Sequence, residues 1–489
     1  MPLRQVQKAV GRLLNRLETV LKVPKLCTRS LGVGLSVTKS LVRDAPDLVR
    51  DIGELAGPHE LLRVAETGVI LAQHAARVGW RGAVGREEIT SAAASELRQA
   101  FEVLGPTYVK LGQIIASSPI FPETLAEEFR SCLDNASPVS YRDIREVIID
   151  ELGTTPELAF AYFDPEPLAA ASIAQVHAAR LHDGSEVVVK VQRPGIKERL
   201  RADLAILTFA ARMLERSSDS AWMANPVAVL EDFAATLNEE LDFVTEAESM
   251  ERFENNLREF GRNEGVRVPK VHWNKTTRRV LTMERVQGCR IDDVAALTER
   301  GVDTREALVS ICRAWMEGAF EHGFVHGDLH AGNLMVDTDG SVVFLDFGIM
   351  GRLDQATRHL LGGAMVPLIV NSDFREMAKV VYRLGGSKDV DQLPGIEEVA
   401  QEIAAVIDPV LAAPLAELSL GQIIVDVIRV GSQYQLRFPR EVVLLAKAAL
   451  YVDRFSRLMA PGWTMLSDPE LVWFLTGGDR PKLHLIESA

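Results

Sequence analysis

Hydrophobic positions fall mostly at helical spacing, and short period-two runs interrupt them at three places. Residues 1–100 read as helices with a loop around GWRGAVG at 79–85. At about 100° per residue, Leu3, Val6, Val10, Leu13, Leu17, Val20 and Leu21 gather on one side of an N-terminal helix. Arg4, Lys8, Arg12, Arg16 and Lys22 fall on the other side. FEVLGPTYVKLGQIIASSPIFP (101–122) is half helical and is broken by Pro119 and Pro122. ETLAEEFRSCLDN (123–135) and SYRDIREVIIDELG (140–153) predict two amphipathic helices, the second stopping at Gly153.

The period then changes. Two β-type runs in 172–195 flank His182-Asp183-Gly184-Ser185, a hairpin signal. A long helical stretch follows from 196 to about 260, then a strand-like run, RVLTMERVQG, at 279–288. Residues 303–323 predict a helix ending at Gly323. NLMVDTDGSVVFLDFG (333–348) predicts a second hairpin turning at Asp339-Gly340. From 353 onward the pattern is helical, broken by prolines. Short antiparallel strand pairs among dominant helices make the fold class α+β, helix-rich.

Composition narrows the picture. The 489 residues suffice for one large domain with extensions or for two to three ordinary ones. With 47% hydrophobic and 25% charged residues, the chain builds a core and is not disordered. A net charge of -14 argues against a nucleic-acid partner, whose phosphates it would repel. Cys27, Cys132, Cys289 and Cys312 are scattered without a CxxC, as expected of reduced cytoplasmic thiols.

Apolar runs such as LLGGAMVPLIV (360–370) fall short of the roughly 20 residues of a membrane span, and no secretory signal is expected. LVWFLTGGDRPKLHLIESA at the C-terminus is too short and polar for a span. The basic N-terminal helix leaves two readings open. It suits packing on its own protein with a solvated basic face, and it also suits an anionic membrane surface, which would place the protein peripherally on the inner face.

Chemistry concentrates in HGDLHAGN, residues 326–333. His326 and His330 could hold zinc, but no Glu follows His326 as in HExxH, and Asn333 and Asp346 would have no task. A second reading uses more of the residues. Lys190 ends the strand EVVVK, Asn333 follows Asp328 by five positions, and Asp346 opens DFG. This is the order of protein-kinase-like enzymes. Lys190 supplies a compact charge for the α- and β-phosphates of ATP or ADP. Asp328 accepts a hydrogen bond from an attacking hydroxyl or water. Asn333 and Asp346 offer hard oxygens to Mg²⁺. Lys190, Asp328 and Asn333 form the expected catalytic set, and Asn333 and Asp346 the metal set.

On these motifs the sequence resembles the UbiB-like (AarF) family of atypical protein-kinase-like proteins, over roughly residues 100–350. YVKLGQ (108–113) is similar to that family's KxGQ signature and LAAASIAQVH (168–177) to its alanine-rich loop. VVVKVQRPG (187–195) carries the strand lysine, EELDFVTEA (239–247) is similar to the ExD element, and HGDLHAGN and LDFG complete the set. Where the family often continues with Arg-Asp-Leu after KLGQ, this chain reads IIASSPIFP, so the carry-over stops at Gln113.

The resemblance implies a bilobal kinase-like fold with an N-terminal helical extension at 1–100. It implies a KxGQ segment covering the active site at 101–160, an N-lobe with a helical insertion at 161–286 and a helical C-lobe at 287–489. It places Lys110 near the phosphates and Gln113 in the site. Ala170, Ala171, Ser172 and Gln175 stand where kinases carry a glycine-rich loop; alanine Cβ atoms limit φ and crowd the phosphates. Glu240 is the first choice for the acidic partner of Lys190 and Glu246 the second, on one helix but facing different directions. Asp242 reaches toward the nucleotide and metal. Met283, Glu284 and Val286 of the 279–288 run join the nucleotide-binding set.

The expected function is a Mg²⁺-dependent ATPase or phosphotransferase supporting isoprenoid-quinone or other lipid metabolism. Its partners are a nucleotide and, beyond it, an anionic membrane surface, a lipid or a quinone precursor. One alternative is an aminoglycoside- or choline-type phosphotransferase, which shares the HGDLHAGN loop but lacks KLGQ and AAASIAQVH. Another is a non-catalytic nucleotide-binding scaffold, against which the retained Lys190, Asp328, Asn333 and Asp346 speak.

Overall fold

The computed structural model describes residues 63, 66–71, 73–74, 77–78, 89–117, 123–130, 138–217, 226–387, 395–411, 418–434, 436, 438–465 and 468–476. The basic N-terminal helix, the loop at 79–85, Cys27, Cys132, Pro119 and Pro122 lie outside the described residues. These residues form two units, one reaching to His182 and including Val189–Leu241, the other made of Asp183–Val188 and the chain from Asp242.

In the first unit, helices α1 (Ile89–Leu104) and α2 (Pro106–Ser117) meet at Gly105. Gly105 has φ +97°, and an added Cβ would come within 2.8 Å of the Arg199 guanidinium. The helix α3 (Glu123–Phe129) packs beside them, with the Phe101 ring 5.1 Å from Phe129 and 5.5 Å from Tyr108. α4 (Tyr141–Leu152) starts under a Ser140 cap and stops at Gly153, whose φ of 68° is the expected left-handed stop. A single turn, α5 (Pro156–Ala159), leads into the strands β1 (Tyr162–Ala170) and β2 (Ala174–Arg180).

After β3 (Glu186–Gln192) come α6 (Ile196–Ser217) and α7 (Pro226–Glu240). Asp203 on α6 is fully buried and clamps the α1–α2 junction. Its carboxylate accepts from Arg63 Nε at 2.8 Å and from the Thr107 hydroxyl at 2.7 Å. Arg199 Nη2 donates to the Leu104 carbonyl at 3.0 Å.

The second unit opens with α8 (Phe243–Phe260), β4 (Val266–Arg267), β5 (Val280–Glu284) and β6 (Gly288–Arg290). It continues with α9 (Val294–Glu299), α10 (Thr304–Met316), β7 (Phe324–His326), β8 (Leu334–Asp337), β9 (Val342–Phe344) and β10 (Met350–Arg352). Helices α11 (Gln355–Asn371), α12 (Phe374–Leu384), α13 (Ile396–Leu411), α14 (Leu420–Gln433), α15 (Arg440–Met459) and α16 (Pro469–Thr476) complete it. Two small sheets lie within it, ordered β10-β7 and β4-β9-β8-β6, while β1 pairs with β2 in the first unit. Val381, Val399, Ile403, Ile407 and Ile423 anchor an apolar core among α12, α13 and α14. No helix among the described residues is long and apolar enough to cross a membrane.

Several local expectations differ from the structure. The stretch from 196 to 260 is not continuous: α7 ends at Glu240 and α8 begins after Asp242, which caps it by accepting from the Val244 N–H at 3.1 Å. Glu240 and Glu246 therefore sit on two helices, not one. β1 is absent from the sequence expectation; it is an edge strand whose register shifts around Pro167, where a missing N–H is tolerated. The helix before Gly323 runs Thr304–Met316 and then widens into a π-helical turn, Glu317–Glu321. The hairpin at Asp339-Gly340 forms as expected, with Leu334 facing Phe344 and Gly340 at φ +88°.

Candidate nucleotide site

β7 delivers His326 into the interior of the second unit, where it is 1% exposed. Its Nδ1 accepts the Asp328 N–H at 3.3 Å, and its Nε2 donates to the Asp346 carbonyl at 2.7 Å. That pattern assigns the neutral ring with the proton on Nε2. Burial pushes the His326 pKa below the ordinary histidine value, outweighing Asp328 and Asp346. With both ring nitrogens engaged, His326 is no zinc ligand. No group of three or more His, Cys, Asp or Glu among the described residues could hold a metal ion.

The remainder of the loop follows from close contacts. A Cβ on Gly327 would meet Leu444 Cδ2 at 3.0 Å and Ile349 Cγ2 at 3.1 Å. A Cβ on Gly332 would strike the His330 ring at 2.7 Å, because the Gly332 N–H donates to His330 Nδ1 at 2.9 Å. Asn333 is buried; its Nδ2 donates to the Asp328 carbonyl at 2.9 Å, and its own carbonyl accepts from the Leu345 N–H at 2.9 Å. Asp346 Oδ1 accepts from the Gly348 N–H at 2.9 Å. The side-chain oxygens of Asn333 and Asp346 match, in type, the hard ligands Mg²⁺ takes alongside water and phosphate.

Phe347 of the DFG turn packs 5.1 Å from His326 and 5.2 Å from Phe253, ring to ring. Phe253 belongs to α8, the helix that carries buried Glu246. The Asp328 carboxylate has a neighbour the sequence did not reveal: Lys447 Nζ on α15 lies 2.8 Å from its Oδ1. His330 Nε2 lies 3.7 Å from its Oδ2.

The first unit holds the other group of residues. Lys190 is half-buried on β3, and Gln192 two positions on donates to the Leu241 carbonyl at 2.7 Å, tying the strand to the end of α7. There Glu240 pairs with Lys110 of α2, Nζ to Oε1 at 2.8 Å, with side chains only 8% and 17% exposed. Glu240, the expected partner of Lys190, thus holds the KLGQ lysine. Gln113 is half-buried on the same helix.

The alanine-rich loop is a tight turn between β1 and β2 in which the Ala171 N–H donates to the Ala174 carbonyl at 2.9 Å. No residue from Ala170 to Ala174 adopts positive φ. Arg193 staples the turn, its N–H donating to Ile173 O and its Nε to Ala171 O, both at 2.9 Å. Ser172 is buried, and Gln175 is fully buried. Gln175 Oε1 accepts from the Val139 N–H, and its Nε2 lies 3.3 Å from His177 Nε2, so its amide braces the turn from within.

Asp242 is spent on capping α8 and on Arg278, 3.4 Å away. Met283 is buried, and Glu284 at the end of β5 takes Arg267 at 3.0 Å and the Lys270 N–H at 3.2 Å. Val286 follows the strand and is half-buried. Lys110, Gln113, Ala170, Ala171, Ser172, Gln175, Lys190 and Glu240 therefore belong to the first unit, and Glu246, Met283, Glu284, Val286, Asp328, Asn333 and Asp346 to the second. Sequence reasoning missed Arg193, Phe253, Leu444 and Lys447. Only Arg193, inside the quoted VQRPG, stood beside a motif.

Comparison with known proteins places these motifs. Residues 131–381 match the model of the ABC1 atypical kinase-like domain, and residues 403–464 match the UbiB helical domain. An uncharacterized protein of Mycobacterium tuberculosis is 43% identical over 419 residues, covering 85% of each chain. An uncharacterized aarF domain-containing protein kinase, chloroplastic, of Arabidopsis thaliana is 36% identical, covering 77% of this chain and 73% of its own. A protein of Xylella fastidiosa named "Probable protein kinase UbiB" is 33% identical, covering 82% and 71%. A solved Mycobacterium tuberculosis structure, described as a complex with erythromycin, is 22% identical, with a TM-score of 0.45 over 72% of this chain and 91% of its own. A DFG turn and an HGDLHAGN loop joined through one buried histidine, inside a match that spans half the sequence, leave a single assignment: the chain belongs to the ABC1 atypical kinase-like family and carries its UbiB helical domain.

Proposed function

We propose that this protein binds ATP with Mg²⁺ and catalyses phosphoryl transfer to water or to an acceptor. The observation that carries the reading is the network in which His326 and Asn333 fix the Asp328 backbone while His326 also holds Asp346. Asp328 orients the attacking hydroxyl or water by accepting its hydrogen bond. Asn333 and Asp346 hold Mg²⁺, which supplies charge neutralisation at the β- and γ-phosphates. Lys190 binds the α- and β-phosphates, Ala170 and Ala171 bound the phosphate space, and Lys110 and Gln113 close it. The reading extends to support of isoprenoid-quinone or other lipid metabolism, suggested by the family resemblance and the UbiB name of relatives.

The deciding experiment measures Mg²⁺-dependent ATP turnover by the purified protein. It is run with and without anionic vesicles, quinone head-group analogues and a panel of aminoglycosides and amino-alcohols. Turnover that vesicles or head-group analogues stimulate supports the reading. Rapid phosphorylation of an amino-alcohol would replace it with the small-molecule phosphotransferase. Nucleotide binding without any turnover would leave a scaffold.

A further inference from the structure

We infer that Lys447 is a positioning residue for Asp328, and that α15 is part of the working geometry of the catalytic loop. The inference deepens the phosphoryl-transfer reading and rests on it. Leu444, Lys447 and Tyr451 stand at i, i+3 and i+7 on α15, so they share one helix face. That face follows the loop residue by residue. Leu444 packs on Gly327, the contact that excludes a side chain there. Lys447 Nζ meets Asp328 Oδ1 at 2.8 Å, the two side chains 25% and 17% exposed. The Tyr451 ring lies 6.5 Å from His330 and 5.9 Å from the Lys447 ammonium.

The two sides of Asp328 are thus held by different means. Its backbone is fixed by His326 and Asn333, from the loop and its own strand. Its carboxylate is fixed from a helix 119 positions away in sequence. A carboxylate that must orient a nucleophile gains from one oxygen being anchored, because the rotation that would misdirect the other is then restrained. The matched helical segment at 403–464 contains α15 up to Met459, so this segment contributes directly to the loop's geometry.

The test uses the full chain and compares wild type with Lys447→Met, Lys447→Gln, Lys447→Arg, Asp328→Asn and the Lys447→Met/Asp328→Asn double variant. Steady-state ATP turnover, nucleotide affinity and thermal unfolding are measured for each. The expected result is a kcat loss of about 10–100-fold in Lys447→Met and Lys447→Gln with KM for ATP changed less than about twofold. Lys447→Arg recovers most of the loss, and the double variant is no slower than Asp328→Asn alone, the signature of two groups acting as one. Unchanged kcat in an active wild-type background overturns the inference, as do kcat losses that follow falling thermal stability and add in the double variant. A wild type that turns over no nucleotide overturns the underlying functional reading and the role of Lys447 with it.

Discussion

His326 donates from Nε2 to the Asp346 carbonyl across 2.7 Å, so one buried ring sets the distance between the HGDLHAGN loop and the DFG turn. Because its Nδ1 is engaged by the Asp328 N–H, the ring serves both aspartates only in its neutral form. Phe347 and Phe344 close on its edges, which keeps water from competing for either bond.

Stability should fall as the medium is acidified below neutral. Burial holds the His326 pKa below its ordinary value, and burial does the same for His177 and His322. The unfolded chain therefore binds these protons first. The stabilisation is complete above the unfolded-state value of about 6.5 and declines as pH falls toward the folded-state values. Thermal unfolding measured between about pH 8 and pH 5 should show this slope, and His326→Gln should flatten it while lowering the melting temperature throughout. An equally steep slope in that variant would place the titration elsewhere.

Asp346→Asn should remove one charged oxygen from the proposed Mg²⁺ set while keeping the Gly348 hydrogen bond. Turnover should drop by at least about 100-fold, and the thermal shift given by Mg²⁺-ATP should vanish. Unchanged hydrolysis together with an unchanged shift would refute the site.

Gly327→Ala should destabilise the second unit by about 1–3 kcal/mol, since the new methyl meets Leu444 and Ile349 at 3.0–3.1 Å. Adding Leu444→Ala should return part of that loss, although Leu444→Ala alone is destabilising. Chemical denaturation of the single and double variants measures the coupling; strict additivity would mean that Leu444 does not set the glycine requirement.

Lys110→Met should cost about 1–3 kcal/mol, because it removes the ammonium 2.8 Å from Glu240, whose side chain is 8% exposed. The Lys110→Met/Glu240→Gln pair should be more stable than Lys110→Met alone. If the double variant is the weaker of the two, Glu240 has its compensation elsewhere.

Arg193→Met should loosen the alanine-rich turn by removing the Nε bond to Ala171 O, while the Arg193 backbone bond to Ile173 O stays. Ala170→Gly should add freedom in the same turn. Both should change ATP affinity or self-phosphorylation and speed amide exchange at 171–174. No change in any of the three in either variant would mean the turn does not handle nucleotide.

Features written in neighbouring residues were legible. Gly153 stops α4 and Gly340 turns the second hairpin because each needs the left-handed backbone that glycine adopts freely. The break between α7 and α8 was hidden, since Asp242 in a run of acidic residues looks no different whether it caps a helix or rides on one. β1 was hidden by its prolines, which only an edge position accommodates.

By itself the sequence determined the helix-rich α+β class, the order of strand lysine, HGDLHAGN loop and DFG turn, and the family. Each of these is carried by local periodicity or by fixed spacing within a short motif. Tertiary structure alone decided which charge meets which: Glu240 with Lys110, Asp328 with Lys447, and the alanine turn with Arg193. Electrostatic and hydrogen-bond energies depend on separation in space and collapse within a few ångströms, whereas Lys447 and Asp328 lie 119 positions apart along the chain and Lys110 and Glu240 farther still.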